Sequence, residues 1–318
     1  MKLSRKPWIF AALLCIALGL ILTAVAFFTV GFHISGFDTT NYEPELTSLD
    51  KPYDKIVVDG AWCDVIIMTP GTRHAFPEFQ DLEITSPCVL SYNSGNDIFT
   101  ECGYSDRVLY ISRRDLRSWY EKIGYDFNMN SDRIVLFLDD LHFDTLEVTT
   151  ESGRIWLLSE AEIKDVQIQT SSGQLVVRDL MSNSLTMKST SGNIIVNTSS
   201  ADHILFESSS GDISLGALHA QNTLHAKTAS GEIDAVNITS DNTLSLESTS
   251  VEIEFQAIDG ADGISLQSTS GDIKGTLSSD MRFSVKTTSG DIKVPADVPG
   301  APLCVVKTTS GDIEIKVE

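Results

Sequence analysis

The chain has 318 residues, of which 42% are hydrophobic, and a formal net charge of −21 from 23 Lys and Arg residues against 44 Asp and Glu residues. This hydrophobic fraction is sufficient for a packed core and excludes a wholly disordered chain. The acidic balance argues against a nucleic-acid partner, because a phosphate backbone needs a basic surface. The five cysteines form no CxxC pair and no Cys/His cluster with metal-ligand spacing, and the sequence has neither a P-loop nor a GxGxxG motif. We therefore expect no structural zinc and no cofactor.

The N-terminal part predicts a membrane anchor. Residues 8–32 are 25 residues without a charge, which as a helix would span ~37 Å and exceed the ~30 Å hydrocarbon core of a bilayer. Three basic residues, Lys2, Arg5 and Lys6, precede this run. The positive-inside rule then predicts a single-pass protein of the cell membrane, with residues 1–7 as a cytoplasmic tail and the rest extracellular. A cleaved signal peptide remains the alternative, because Ala24-x-Ala26 fits a cleavage site.

The next two segments are interpreted as a linker and a cap. Residues 33–54 are polar and acidic with two prolines, which is typical of a linker. Residues 55–140 hold strand-like apolar runs and predict an N-terminal β cap with degenerate first coils, since a solenoid needs atypical terminal coils. In an oxidising exterior, Cys88 and Cys102 are candidates for a disulfide worth about 3 kcal/mol, which leaves Cys63 over.

Residues 141–318 contain a repeat. Nine segments of the type Thr-Ser-Gly-Asp-Ile align with spacings of 19 to 21 residues. The corner position of the nine copies is occupied by Gly153, Gly173, Gly192, Gly211, Gly231, Val251, Gly271, Gly290 and Gly311. Helical repeats are longer than this period and the leucine-rich frame is missing, so the spacing predicts a nine-coil β-solenoid with about 20 residues per coil.

Each copy alternates with period two around its corner. The residues seven and five positions before the corner are apolar, the residue three before is Ser or Thr, and the residue two after is Ile or Leu. This pattern predicts a half-buried strand, a corner and a second short strand. We expect an all-β, right-handed parallel β-helix whose coils stack in register, ~4.8 Å apart. The corner glycines are expected to have positive φ, so Val251 should change its corner.

Three outward or polar columns follow from this register. Lys188, Glu207, Lys227 and Glu247 should form one exposed column of alternating charge. The Ser and Thr residues before the corners should point inward or cap the backbone, and His203, His219 and His225 fall at unrelated positions, so a Ser–His–acid triad has no support. Directly after the corners, six acids follow one another: Asp212, Glu232, Glu252, Asp272, Asp291 and Asp312. A solvated acidic edge is the main interpretation of these acids, and weak cation binding at Asp272, Asp291 and Asp312 is the alternative.

Three stretches carry a resemblance to a known family. The reiterated Thr-Ser-Gly-Asp-Ile, the stretch RIVLFLDDLHFDTLEV at 133–148 and YDKIVVDG at 53–60 resemble the putative-adhesin family of bacterial β-strand repeat proteins, a domain of unknown function. The resemblance covers roughly residues 50–318. It implies a single-stranded β-helix exposed at the cell envelope.

The uniform coils favour a non-enzymatic, membrane-anchored protein that acts as an adhesin or as a binding and sensing module. We therefore expect no catalytic residue. A carbohydrate-active β-helix enzyme is one alternative. An envelope scaffold that assembles through the solenoid ends is another, because the final strand Ile313–Glu318 is expected to leave a coil edge uncapped.

One stretch of the cap is dense in basic and aromatic residues: Arg113, Arg114, Arg117, Trp119 and Tyr120. Such residues are favoured at binding interfaces, so they are the candidate surface for an envelope protein or wall polymer. An insertion loop or short helix without a binding role remains the other interpretation of this stretch.

Overall fold

The computed structural model describes residues 43–49, 51–69, 71–72, 88–94, 98–116, 133–138, 143–160 and 162–318, together with the helical residues Ile16, Leu18, Gly19 and Ile21. The predicted anchor at 8–32 therefore lies almost entirely outside the described residues. In the part that is described, no helix has the length and apolar character needed to cross a bilayer.

The described fold consists of β-strands in one continuous sheet. The strands before the repeats are Glu43–Ser48 (β1), Lys55–Ala61 (β2), Asp64–Met68 (β3), Cys88–Ser94 (β4), Ile98–Ser105 (β5), Val108–Asp115 (β6) and Arg133–Leu138 (β7). Those of the repeats are Thr145–Thr150 (β8), Ile155–Leu158 (β9), Asp165–Thr170 (β10), Leu175–Arg178 (β11), Met181–Ser189 (β12), Ile194–Ser208 (β13), Ile213–Thr228 (β14), Ile233–Ser240 (β15), Thr243–Ser248 (β16), Ile253–Gly260 (β17), Gly263–Gln267 (β18), Ile273–Leu277 (β19), Arg282–Lys286 (β20), Ile292–Lys293 (β21), Leu303–Lys307 (β22) and Ile313–Val317 (β23).

The repeats form a β-solenoid, as the period predicts. Strands of successive coils pair in parallel and in register, for example Val166 of β10 with Leu185 of β12. The apolar columns before and after the corner face the inside and are buried, except in the coil of β20 and β21. The all-β solenoid is thus confirmed, and its right-handed sense stays a prediction.

The corner glycines are required for a different reason from the one predicted. The expected positive φ is wrong for all eight, because the glycines with positive φ in the described chain are Gly263 and Gly300. Instead, a Cβ at Gly192 would lie 1.8 Å from the carbonyl oxygen of Gly173, and a Cβ at Gly211 would lie 2.1 Å from that of Gly192. The coils therefore touch backbone to backbone at these glycines, where a side chain has no room.

Val251 stands in this glycine column and distorts its corner only slightly. Its N–H still donates to Ser248 Oγ, at 3.3 Å. The equivalent bonds in the other coils measure 2.7 to 3.1 Å. The corner therefore keeps its cap with a bond a few tenths of an ångström longer, so the expectation of a changed corner is not confirmed, and its argument from φ does not apply.

The Ser or Thr three residues before the corner is buried or half-buried in every coil and caps the corner N–H in six of them, so this interpretation is confirmed. The N–H of Gly192 donates to Ser189 Oγ at 2.7 Å, and the N–H of Gly211 donates to Ser208 Oγ at 2.8 Å. In the other direction, Thr228 Oγ1 donates to the carbonyl of Gly211, one coil back, at 3.1 Å. These hydroxyls satisfy backbone groups that the corner leaves without a sheet partner.

A second corner follows six residues after the first and has a left-handed backbone. Its residues are Asp179, Thr198, Ala217, Asn237 and Ala257, with φ between 50° and 58°. This conformation is sterically strained for residues other than glycine, and the strain energy is largest for a β-branched residue. The sequence gives no signal for this second corner, because none of its five residues is glycine.

The coils at the C-terminal side do not stack in chain order. Strand β22 pairs with β18 on one side and with β20 on the other, and β23 lies between β19 and β21 in the same way. The 303–317 coil (β22 and β23) is therefore inserted between the 263–277 coil (β18 and β19) and the 282–293 coil (β20 and β21). The expectation that Ile313–Glu318 leaves an uncapped edge is wrong for Ile313 and Glu314, which pair with β21 as well as with β19. Among the described strands, Ile315, Lys316 and Val317 pair with β19 alone, so their other edge is open as expected.

The 282–293 coil is the outermost layer at this end. Its Phe283 and Val285 are only half-buried, and Ile292 is 47% exposed, whereas their equivalents in the other coils are buried. The N–H of Phe283 donates to Asp297 Oδ1 at 2.7 Å. This contact blocks one of the donors that an edge strand would otherwise offer to another chain.

The N-terminal end has the same interleaved order. Strand β2 lies between β8 and β6, and β3 lies between β9 and β7, so the coil of residues 55–68 is the second layer. Strands β5, β4 and β1 extend the outer layer through antiparallel pairing.

Aromatic residues cover the core at the N-terminal end. The rings of Tyr53 and Phe143 lie 5.9 Å apart, and Leu49 is buried beside them. Tyr92 and Tyr104 pack against the same cluster. These large side chains keep water from the apolar cross-section of the first coils.

The backbone contact at the corners predicts a large effect of one methyl group. Gly211→Ala places a Cβ 2.1 Å from the Gly192 carbonyl oxygen, so coils must separate. We expect a loss of about 3 kcal/mol in the free energy of unfolding, measured by urea denaturation. Gly103→Ala is the matched control, because its Cβ would meet nothing within 4 Å. Equal effects of the two substitutions would contradict the argument.

The left-handed corner predicts a stabilising substitution. Thr198 has φ of 51° and is exposed, and Asn237 already occupies the equivalent place in a later coil. Thr198→Asn should raise the free energy of unfolding by about 1 kcal/mol, because Asn tolerates this conformation better than a β-branched residue. Thr190→Asn, at an exposed position without positive φ, should leave stability unchanged in the same thermal-unfolding measurement.

Candidate functional site

The outward polar columns of the coils are the first candidates for chemistry. The Ser one residue before each corner is exposed in every coil, so the expectation that this column points inward is wrong. Ser191 Oγ donates to the carbonyl of Ser171 at 3.2 Å, which again serves the stack. An exposed hydroxyl without a base beside it is not an activated nucleophile.

Two histidines each lie beside a hydroxyl. His219 Nδ1 is 2.9 Å from Thr239 Oγ1, and its Nε2 is 3.7 Å from Asp241 Oδ2. His203 contacts Thr223 in the same manner, at 3.0 Å. Both pairs are separated by 20 residues, so the coil period itself predicts their contact. Sequence reasoning missed them, because it compared histidines with the corner serines and not with residues one coil away.

The group around His219 resembles a triad only in composition. The Asp241 contact is too long for a hydrogen bond, and all three residues lie on the outside of the solenoid. A hydrolytic site needs a base, a nucleophile and oxyanion donors that converge on one reacting atom. Here only the contact between the imidazole of His219 and the hydroxyl of Thr239 is present.

The column after the corners is a ladder of side chain to backbone hydrogen bonds. Asp212 Oδ1 accepts from the N–H of Glu232 at 3.0 Å, and Asp272 Oδ1 accepts from the N–H of Asp312 at 2.8 Å. Asp312 in turn accepts from the N–H of Asp291 at 2.8 Å. The spatial order is therefore Asp272, Asp312, Asp291, and the carboxylates of Asp212, Asp272 and Asp312 each accept from the amide of a neighbouring coil.

The predicted weak cation binding at these three Asp residues has no direct test. Over the described ranges, no group of three or more His, Cys, Asp or Glu side chains has the geometry to hold a metal ion. Cation binding stays a prediction, and the backbone contacts are a sufficient reason for the stacking of these acids.

Charge is concentrated at the middle of this face. Partial desolvation raises the pKa of Glu232, and the carboxylates of Glu254 and Asp212 raise it further. One coil on, Lys274 Nζ lies 2.9 Å from both Glu252 Oε1 and Asp272 Oδ2. The hydrogen bond from Lys274 lowers the pKa of Asp272, so the Lys relieves the acidic column at this level.

The second charged column is confirmed. Lys188 and Glu207 are register neighbours, as are Glu207 and Lys227, and Lys227 and Glu247. Nζ to Oε2 distances are 2.7 Å for Lys188 to Glu207 and 3.1 Å for Lys227 to Glu247. These exposed pairs each contribute a few tenths of a kcal/mol and fix the register more than they stabilise the fold.

Of the five candidate binding residues, one is buried, one is exposed and three lie outside the described residues. Arg113 is only 3% exposed, and its Nη1 donates to Thr100 Oγ1 at 2.8 Å, so its guanidinium joins β5 to β6 and is not presented to solvent. Arg114 is exposed and lies 3.2 Å from Glu101 Oε2. The remaining predicted members, Arg117, Trp119 and Tyr120, lie outside the described residues.

The hairpin of β5 and β6 displays this surface. Its two-residue turn, Asp106 and Arg107, has φ of 51° and 61°, which is the geometry of a type I′ turn. The side chain of Arg107 forms an ion pair with Asp54, which connects the hairpin turn to the residue that precedes β2. Tyr110 is 46% exposed on the same hairpin, and sequence reasoning missed it because it lies before the basic run.

The cysteines do not alter this picture. Cys63 and Cys304 are buried, and burial raises the pKa of the Cys304 thiol to about 12. Cys102 is exposed on β5, whereas the side chain of Cys88 lies outside the description. Cys102 is a free thiol in this structure, so the expected disulfide between Cys88 and Cys102 is not formed.

The raised pKa of Glu232 predicts a pH-dependent gain on neutralisation. Its carboxylate is destabilising while ionised, so Glu232→Gln should stabilise the fold at pH 7 by up to about 0.5 kcal/mol after solvent screening. The gain should vanish as the pH falls below the ordinary value of 4.5, where both states are protonated, and shrink at high salt. Glu247→Gln, which loses the Lys227 pair, should give no gain in the same pH series of thermal midpoints.

Two solved structures are similar over most of the chain. A putative adhesin from Parabacteroides merdae ATCC 43184 matches with a TM-score of 0.53 at 14% identity, over 87% of this chain and 96% of that one. A putative adhesin from Parabacteroides distasonis ATCC 8503 matches with a TM-score of 0.52 at 14% identity, over 88% and 98%. At this identity the likeness concerns the fold.

No curated protein matches the sequence. A family model does match, over residues 88–316, which include the outer strands of the cap and all nine repeats. The resemblance inferred from the Thr-Ser-Gly-Asp-Ile repeats is therefore confirmed, and the chain belongs to the Toastrack DUF4097 family, a domain of unknown function.

Proposed function

We propose that this protein is a non-enzymatic module that is anchored in the cell membrane and binds a component of the cell envelope. One observation carries the proposal: the repeats use their hydroxyls and short carboxylates to satisfy the backbone of neighbouring coils. Groups held in this way are not available as nucleophiles or bases. The adhesin names of the two similar structures agree with a surface role.

The anchor is the segment 8–32, with residues 1–7 in the cytoplasm and the solenoid outside. Its support is the uncharged length of the segment and the basic residues before it. An acidic ectodomain is compatible with this topology, because acidic residues contribute little to orientation.

The cap is the proposed binding surface. Its hairpin presents Arg114 and Tyr110, and the predicted surface continues through Arg117, Trp119 and Tyr120. Arginine and aromatic side chains combine apolar area with directed hydrogen bonds and are enriched in the residues that dominate binding energy. An acidic wall polymer or an acidic patch on an envelope protein fits the local charge of this stretch.

A carbohydrate-active enzyme is the second candidate, and one groove favours it. This groove, of about 410 Å³, is lined by Asp234, Glu254 and Glu314 together with Lys274 and Lys316. Paired carboxylates beside a sugar are the requirement for glycoside hydrolysis. Turnover of a wall glycan that is abolished by Asp234→Asn or Glu254→Gln would replace the binding proposal by this one.

The binding surface is tested by substitution. Replacing Arg114, Arg117 and Trp119 together by Ala should weaken binding of the purified chain to isolated cell envelopes by roughly tenfold or more, measured by cosedimentation. The β-rich circular dichroism should be unchanged, because none of the described contacts of Arg114 joins two coils.

The matched control removes an exposed charge pair from the middle of the stack. Lys188→Ala with Glu207→Ala should leave envelope binding at its original strength. If binding instead survives the cap substitutions and is lost when Asp272, Asp291 and Asp312 are replaced, the coils carry the function and the cap does not.

A further inference from the structure

The 303–317 coil occupies a slot between two other coils. Its backbone is bonded on both sides: Ile273 N–H donates to the Asp312 carbonyl at 2.9 Å, and Ile313 N–H donates to the Asp291 carbonyl at 2.9 Å. A Cβ at Gly311 would lie 2.1 Å from the Gly271 carbonyl oxygen, and the corner of Gly290 lies equally close to Gly311. The slot is thus shaped for one coil with a glycine at its corner.

The contacts of this coil are the generic contacts of the repeat. Thr308 Oγ1 donates to the Gly271 carbonyl at 3.2 Å, and Asp312 exchanges the ladder bonds with Asp272 and Asp291. Cys304 and Val306 fill the same inward columns as their neighbours. All of these contacts would form identically if the inserted coil came from a second copy of this chain.

Within this sequence the coil is joined to the rest by one connector, residues 294–302. It contains Pro295, Pro299 and Pro302, and residues 296–300 are exposed. Gly300 has φ of 90°, and a Cβ there would meet nothing within 4 Å. The closed connector therefore depends on a backbone conformation that only glycine adopts without strain.

The connector is also long enough to reach another molecule. Nine residues can span up to about 30 Å when extended, whereas adjacent coils are ~4.8 Å apart. Opening it would extend its three prolines, which favour extended backbone.

We propose that the 303–317 coil exchanges between two copies of this chain, so that each copy fills the slot between the 263–277 and 282–293 coils of the other. The closed monomer and the exchanged dimer share every coil contact and differ in the connector. Such an exchange converts an internal contact into a symmetric interface, and its extent rises with protein concentration.

The first experiment detects exchange with two variants of the full chain that each carry one cysteine, Gln267→Cys and Lys307→Cys, in a background whose five native cysteines are replaced by Ala. These positions are register neighbours on the outer face of β18 and β22, within disulfide reach. The variants are unfolded together, refolded at high concentration and oxidised. Exchange predicts a covalent mixed dimer on a non-reducing gel, in an amount that increases with concentration.

The control uses Lys188→Cys mixed with Glu207→Cys. This pair has the same column, face and register relation, but neither residue belongs to the proposed exchanging coil. We expect at least about tenfold less mixed dimer from it, since its partners meet only within one molecule. Equal yields from the two mixtures would overturn the proposal.

The second experiment shifts the equilibrium through the connector. Gly300→Ala strains only the closed form, so it should increase the dimer fraction roughly tenfold in size-exclusion chromatography with light scattering. Gly103→Ala, at a glycine with equally open surroundings and no positive φ, should leave the fraction unchanged. A dimer fraction that Gly300→Ala does not change would also overturn the proposal.

Discussion

The backbone contact between successive corners is the constraint on which the solenoid depends. A carbonyl oxygen of one coil lies where the Cβ of the next corner would be, 1.7 to 2.1 Å from that position. Eight of the nine coils therefore bring a glycine to the same place, Val251 occupies it in the ninth, and the nine copies follow one another at 19 to 21 residues. The hydroxyl three residues earlier caps the corner N–H, so corner and cap form one unit that is repeated along the stack.

This constraint also limits where function can reside. The inward columns fill the core, the capping hydroxyls are buried, and the short carboxylates after the corners accept backbone amides of the adjacent coil. What remains free to vary is the outer face and the two ends. The Lys188 to Glu247 column serves the register, and for this reason we propose the irregular N-terminal cap as the recognition surface.

Both ends of the solenoid solve the same physical problem. An end layer has backbone groups on one edge without a strand partner and exposes half of its apolar side chains. Here the first and last repeat-like coils of the chain are inserted as second layers, and coils from within the chain form the outermost ones. The connector 294–302 covers part of one outer edge, because Asp297 accepts a hydrogen bond from the N–H of Phe283. The contacts between neighbouring coils do not by themselves fix this layer order.

The sequence by itself determined the solenoid, its period and its buried columns, because the alternation of apolar and polar residues recurs about every 20 residues in each coil. Gly192 was recognised as a corner, yet the reason lay in a neighbouring carbonyl that only stacking brings near. Likewise, the contact between His219 and Thr239 and the burial of Arg113 depend on which coils and strands are neighbours. The tertiary structure alone decided the layer order at the ends. The last three repeats share the Thr-Ser-Gly-Asp-Ile motif and therefore the same pairing chemistry, so each could stack on either of the others until connector geometry chose between them.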